Sequence, residues 1–108
     1  MTDETAKTIL RGILKYTDKP VSGFVSLDGY QGAPGYIVQG DGKFFFEIPR
    51  DVVKQLNELN AGPDHQLYAF KSGGGTIVVP FELAENSEIE ISINFEDKKH
   101  EIKTRRHE

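Results

Sequence analysis

Ile89, Ile91, Ile93 and Phe95 alternate strictly with polar residues along Glu88-Ile89-Glu90-Ile91-Ser92-Ile93-Asn94-Phe95. A period of two fits a strand with one buried and one wet face, and no helix can bury such a pattern on one side. The same alternation recurs upstream. Thr76 to Leu83 sets Ile77, Val79, Phe81 and Leu83 on one face, with Pro80 on the other marking an edge or a bulge. Lys43 to Ile48 opposes Phe44, Phe46 and Ile48 to Phe45 and Glu47. With the β-rich runs Thr8 to Tyr16, Val21 to Asp28, Tyr36 to Gln39 and Gln66 to Lys71, the pattern predicts an all-β, antiparallel sandwich of about seven strands.

The connections carry turn chemistry. Ser72-Gly73-Gly74-Gly75 supplies the positive φ of a hairpin turn, Gly40-Asp41-Gly42 is a second turn, and Thr17-Asp18-Lys19-Pro20 a third. Consecutive runs are therefore expected to pair: the first with the second around residue 18, Tyr36 to Gln39 entering the turn before Lys43, and Thr76 to Leu83 beside Glu88 to Phe95. One segment breaks the β pattern. Asp51 to Ala61 places Val52, Leu56 and Leu59 at helical spacing, with Asp51 as N-cap and Gly62-Pro63 as stop, and predicts one short helix.

At 108 residues the chain has room for one core. Residues 8–97 are expected to form it, with residues 1–7 a flexible N-terminus and 98–108 a basic, flexible tail. Charge divides along the same line: residues 1–97 carry eight Lys or Arg against fifteen Asp or Glu, whereas 98–108 carry five against two. An acidic body repels a phosphate backbone, which excludes nucleic acid as a partner of the folded part. Without cysteine there is no disulfide framework or thiolate metal site. Neither a signal-like N-terminus nor an apolar run of about 18 residues is visible, so a cytoplasmic protein without membrane contact is expected; a secreted form stripped of its signal would read the same.

Gly12-Ile13-Leu14-Lys15-Tyr16-Thr17-Asp18-Lys19-Pro20-Val21-Ser22-Gly23-Phe24-Val25-Ser26-Leu27, followed by Gly40-Asp41-Gly42-Lys43-Phe44-Phe45-Phe46-Glu47-Ile48-Pro49, resembles the carboxypeptidase regulatory-like domains of the transthyretin-like, or prealbumin-like, sandwich group. Those families show a Gly-x-Val opening, a Pro-x-x-Gly-Ala second strand and an Asp-Gly-x-Phe-x-Phe-x-Ile-Pro stretch. The likeness spans the first half of the chain. Phe24 stands where the group has a small residue, and Asp51 to Ala61 is a longer insertion than usual. What the resemblance implies is a fold, because its glycines serve turns and its phenylalanines serve the core. The enzymatic member, hydroxyisourate hydrolase, ends in Tyr-Arg-Gly-Ser, whereas this chain ends Lys103-Thr104-Arg105-Arg106-His107-Glu108.

No catalytic residues are expected. His65 precedes a strand and reads as a surface or strand-edge residue, and His100 and His107 lie in the tail, so no base and orienter pair up. Ser72 sits in a glycine turn with no P-loop Lys and helix behind it, and no Gly-x-Ser-x-Gly elbow occurs. Asp28, Asp41 and Asp64 lack calcium-loop spacing, so neither metal nor cofactor is expected. Binding is the remaining class. The loop Asp28-Gly29-Tyr30-Gln31-Gly32-Ala33-Pro34-Gly35-Tyr36 offers Tyr30, Gln31 and Tyr36 to a protein or, as an alternative, a carbohydrate partner, and Phe24 and Phe45 on outward sides of their strands offer an apolar patch to the helix or to another chain. The expected role is a non-catalytic protein-binding or structural module, as part of a larger assembly or a homo-oligomer. A small hydrolase is the least favoured class.

Overall fold

The computed structural model describes residues 7–28 and 35–106. Its strands and helix run in the order β1 (Lys7–Tyr16), β2 (Lys19–Pro20), β3 (Gly23–Leu27), β4 (Gly35–Val38), β5 (Lys43–Pro49), α1 (Arg50–Leu59), β6 (Asp64–Lys71), β7 (Thr76–Glu82), β8 (Ser87–Asn94) and β9 (Lys99–Arg106). Each of the seven runs read from the sequence is a strand; β2 and β9 are additional. Sheet A holds β2-β1-β8-β9, with β5 paired along the same side of β1 as β2, and sheet B holds β4-β3-β6-β7.

Between the sheets lies a core built from the inward residue of each pleat. Leu10 and Leu14 of β1, Phe44 and Phe46 of β5 and Ile89, Ile91 and Ile93 of β8 meet Val25, Leu67, Val79 and Phe81 of sheet B, all of them buried. Phe44 owes its place to Gly12. A side chain at Gly12 would reach 1.8 Å from the Ile91 carbonyl oxygen and 2.6 Å from the Phe44 ring, so glycine permits both the close approach of β8 and the seating of that ring.

The sandwich departs from the expected pairing in four places. First, β1 and β8 run parallel, in register from Ile9 opposite Glu88 to Lys15 opposite Asn94, so the fold is antiparallel-rich and not wholly antiparallel. These strands are joined through the whole intervening chain, and no tight turn forces a reversal between them. Second, β1 does not pair with β3. Its hairpin partner is the two-residue β2, after which the chain crosses to sheet B. Third, the turn before Lys43 leads from β4 in sheet B to β5 in sheet A, and the Ala84 to Asn86 connection likewise crosses from β7 to β8. Only the β6–β7 hairpin, whose Gly73, Gly74 and Gly75 have φ of 88°, 121° and 116°, keeps its expected form.

Fourth, the tail expected to be flexible is a strand. β9 pairs antiparallel with β8 from Ser87 opposite Arg106 to Asn94 opposite Lys99. Its positive residues face the acidic outer side of β8: Lys103 lies opposite Glu90, and the Arg105 guanidinium is 3.1 Å from Glu88. Charge pairing and a backbone ladder replace the apolar anchor that the tail lacks.

Helix α1 carries the chain from sheet A back to sheet B and packs on β1 and β5. Pro49 stands at the N-cap and Asp51 in the first turn, so Asp51 is not the cap. Val53 and Leu56 are buried, Val52 partly, and Leu59 is exposed. Asn57, half-buried, shares the face of Val53 and Leu56, whereas the exposed Asn60 closes the helix as its C-cap. Asn57 Nδ2 donates to the Leu83 carbonyl at 3.1 Å, and Asn60 Nδ2 to the Asp64 carbonyl.

Candidate functional site

Even-numbered residues of β3, β6 and β7 point away from the core, and on sheet B several of them are apolar. Phe24 lies opposite Ile37 of β4 on one side and Phe70 of β6 on the other, and Tyr68 of β6 lies opposite Val78 of β7. Phe24 is 40% exposed, Phe70 39%, Val78 41% and Ile37 71%. The rings of Phe24 and Phe70 stack with centroids 6.3 Å apart and planes 29° from parallel. Gly35 gives the Phe24 ring its room, since a side chain there would meet that ring at 2.8 Å. Ile37, Phe24 and Phe70 form one apolar strip across β4, β3 and β6 that meets Thr76 on β7, and Tyr68 and Val78 lie one pair along, on a face that α1 does not cover. Patches of this kind on sheet faces mark contact surfaces.

The residues singled out in the sequence separate in space. Phe24 belongs to this strip, but Phe45 points out of sheet A, on the far side of the sandwich, opposite Arg11. They do not form one patch. Tyr36 faces inward: its ring meets Phe46 edge to face with centroids 6.0 Å apart, closing the space between the sheets beside β4 and β5. Tyr30 and Gln31 lie outside the described residues. Phe70, Ile37 and Val78 were not singled out. Each occupies an outward position of its strand, and outward apolar residues on three of the runs were the available signal.

His65 is not the surface residue its position suggested. It is 2% exposed, with Nδ1 2.6 Å from Asp28 Oδ2 and Nε2 2.7 Å from Asn57 Oδ1. Asp28, at φ 58°, also accepts the Gln66 N–H at 3.0 Å through Oδ1. The network ties β3, α1 and β6 together beneath a cavity of about 430 Å³ that also reaches Leu56, Leu59 and Pro80. Asp28 and His65 have the disposition of an orienter and a base. However, Asn57 occupies the second ring nitrogen, and among the described residues no serine or threonine lines the cavity. Among the described residues, no three His, Asp or Glu side chains converge as a metal site.

Comparison with known proteins bears on the fold alone. No protein-family model matches the chain, and no curated protein does. Among solved structures, one described as the NMR structure of the protein from Eubacterium rectale superposes with a TM-score of 0.56 over 100% of this chain and 97% of that one, at 10% sequence identity. At that identity the likeness concerns the path of the backbone alone.

Proposed function

We propose that this protein is a non-catalytic binding module of the transthyretin-like sandwich type, and that it docks another protein through the outer face of sheet B. The observation that carries the reading is the stacked pair Phe24 and Phe70 flanked by Ile37 and Val78, exposed on a rigid four-stranded sheet. Aromatic rings held by a sheet lose little side-chain freedom on binding, which is why such rings dominate interface energetics. The occupied ring nitrogens of His65 support a structural role for that histidine. The carbohydrate reading weakens, because Tyr36 spends its ring on Phe46.

The test places a photo-crosslinking residue at Ile37 in the otherwise intact chain and compares it with the same chain carrying Phe24→Ser and Phe70→Ser. Docking on this face predicts a discrete crosslinked partner whose yield falls about tenfold or more in the double variant, as loss of an aromatic anchor pair requires. An unchanged crosslink pattern in a folded double variant sinks the reading. A product twice the mass of the chain identifies the partner as a second copy.

A further inference from the structure

The outer face of sheet A differs in kind from that of sheet B. Two cross-strand rows run over β5, β1, β8 and β9: Phe45, Arg11, Glu90 and Lys103 in one, and Lys43, Ile13, Ser92 and Glu101 in the next. Between them the sheet is concave, with a groove of about 690 Å³. Ile13 and the 43%-exposed Phe45 supply its apolar floor. Ile13 has Lys43 of β5 on one side and Ser92 of β8 on the other, while Arg11 and Lys15 precede and follow it on the same face of β1.

The charges here are unevenly satisfied. Arg11 is held by Glu88 at 3.2 Å and Glu90 at 3.5 Å. Among the described residues, the ammonium groups of Lys15 and Lys43 have no carboxylate partner, Lys103 faces Glu90 across the strands without a close ion pair, and the Ser92 hydroxyl has no protein partner. Lys43, directly opposite Ile13, and Lys15, two residues along β1, bring two ammonium groups without carboxylate partners to the same isoleucine. Glu101 sits at the β9 end and keeps the positive potential on the β5 and β1 side. The groove thus reverses the sign of the body that surrounds it, where acidic residues outnumber basic ones fifteen to eight over residues 1–97. Reversed charge in a concavity concentrates counter-charged ligands.

We propose that this groove binds a small organic anion, a carboxylate or phosphate monoester carried on a flat apolar body. Lys15 and Lys43 hold the anionic head, Ser92 donates a hydrogen bond to it, and the body lies on Ile13 and Phe45. This site is independent of the protein-docking face on sheet B.

The experiment titrates 2-naphthoate, 2-naphthyl phosphate, the neutral 2-naphthalenemethanol and inorganic phosphate into the full chain, reading backbone amide shifts. The proposal predicts saturable shifts at Ile13, Lys43 and Ser92 with one or both organic anions, and the tighter of the two identifies the head group. It also predicts binding about tenfold weaker for the alcohol and for a Lys15→Gln, Lys43→Gln variant, and several-fold weaker for Phe45→Thr. All three positions are partly or largely exposed, so the variants keep the fold, and unchanged sheet B amides verify it. Three results overturn the site: equal binding of the neutral alcohol, inorganic phosphate reproducing the full response, or the lysine variant binding as the parent does.

Discussion

At His65 one imidazole joins three parts of the chain that are distant in sequence. Its two nitrogens meet oxygens of Asp28, at the end of β3, and of Asn57, on α1. Asn57 turns its oxygen to the ring because its amide nitrogen is engaged by Leu83. Removing the ring leaves a carboxylate and an amide oxygen facing a void, and buried groups stranded in this way cost more than the bond that was lost. His65→Ala is therefore expected to destabilise the protein by about 2–4 kcal/mol, measured by urea unfolding. Pairing it with Asn57→Ala should give less than the sum of the single effects, since each variant breaks the same network. Strict additivity would mean that the ring and the amide do not act together. From sequence the network was invisible, because His65 looked like a lone histidine entering a strand and Asp28 like a turn residue. Its members become neighbours only when β3 pairs with β6 and α1 folds over their ends.

For whole elements, the alternating runs were legible because burial on one face of a pleat leaves a period that no turn or tail disguises. Sheet membership was not. A turn reverses the chain equally well within a sheet or between two, so neither the connection after β2 nor the turn after Val38 gave a sign that the next strand lies across the core. β9 escaped for a different reason: its ladder is held by charges complementary to Glu88 and Glu90, and only Ile102 among its residues is apolar. The helix was legible in extent but not in facing. Asparagines read as polar, yet Asn57 turns to the core side, and Leu59 takes the solvent.

The end of α1 allows a further test at this scale. The Gly62 N–H bonds the Asn57 carbonyl at 2.8 Å and the Ala61 N–H bonds Glu58 at 3.2 Å, which is the Schellman pattern, with Ala61 at the left-handed position at φ 57°. That conformation suits glycine, and here the glycine stands one residue later. Ala61→Gly should raise stability by about 0.5–1 kcal/mol in the same urea assay. No gain, or a loss, would mean that Ala61 makes compensating contacts that outweigh the strain.

The molecule as a whole presents two outer faces of opposite character, separated by one core. Sheet B shows stacked aromatics with few charges, and sheet A shows a lysine-rimmed groove across β5, β1, β8 and β9. Packed sheets stand about 10 Å apart, and their outward side chains are farther apart still. Salt screens exposed charges over about 8–10 Å, so the lysines of one face exert little field on the aromatics of the other. Packing offers no route either, since Phe24 and Phe70 alternate with buried neighbours that are already seated in a dense interior, and replacing an outward ring does not open a cavity there. The two faces should therefore behave as separate sites on one scaffold. Combining Phe24→Ser and Phe70→Ser with Lys15→Gln and Lys43→Gln is expected to change each binding equilibrium no more than the relevant pair does alone, within about twofold, as distant substitutions usually do. Parallel measurement of the Ile37 crosslink and of the naphthoate or naphthyl phosphate titration checks both halves at once. A sheet B variant that shifted anion affinity beyond that margin would show that the sheets move together, and the sandwich would then have to be treated as a coupled body and not as two independent surfaces.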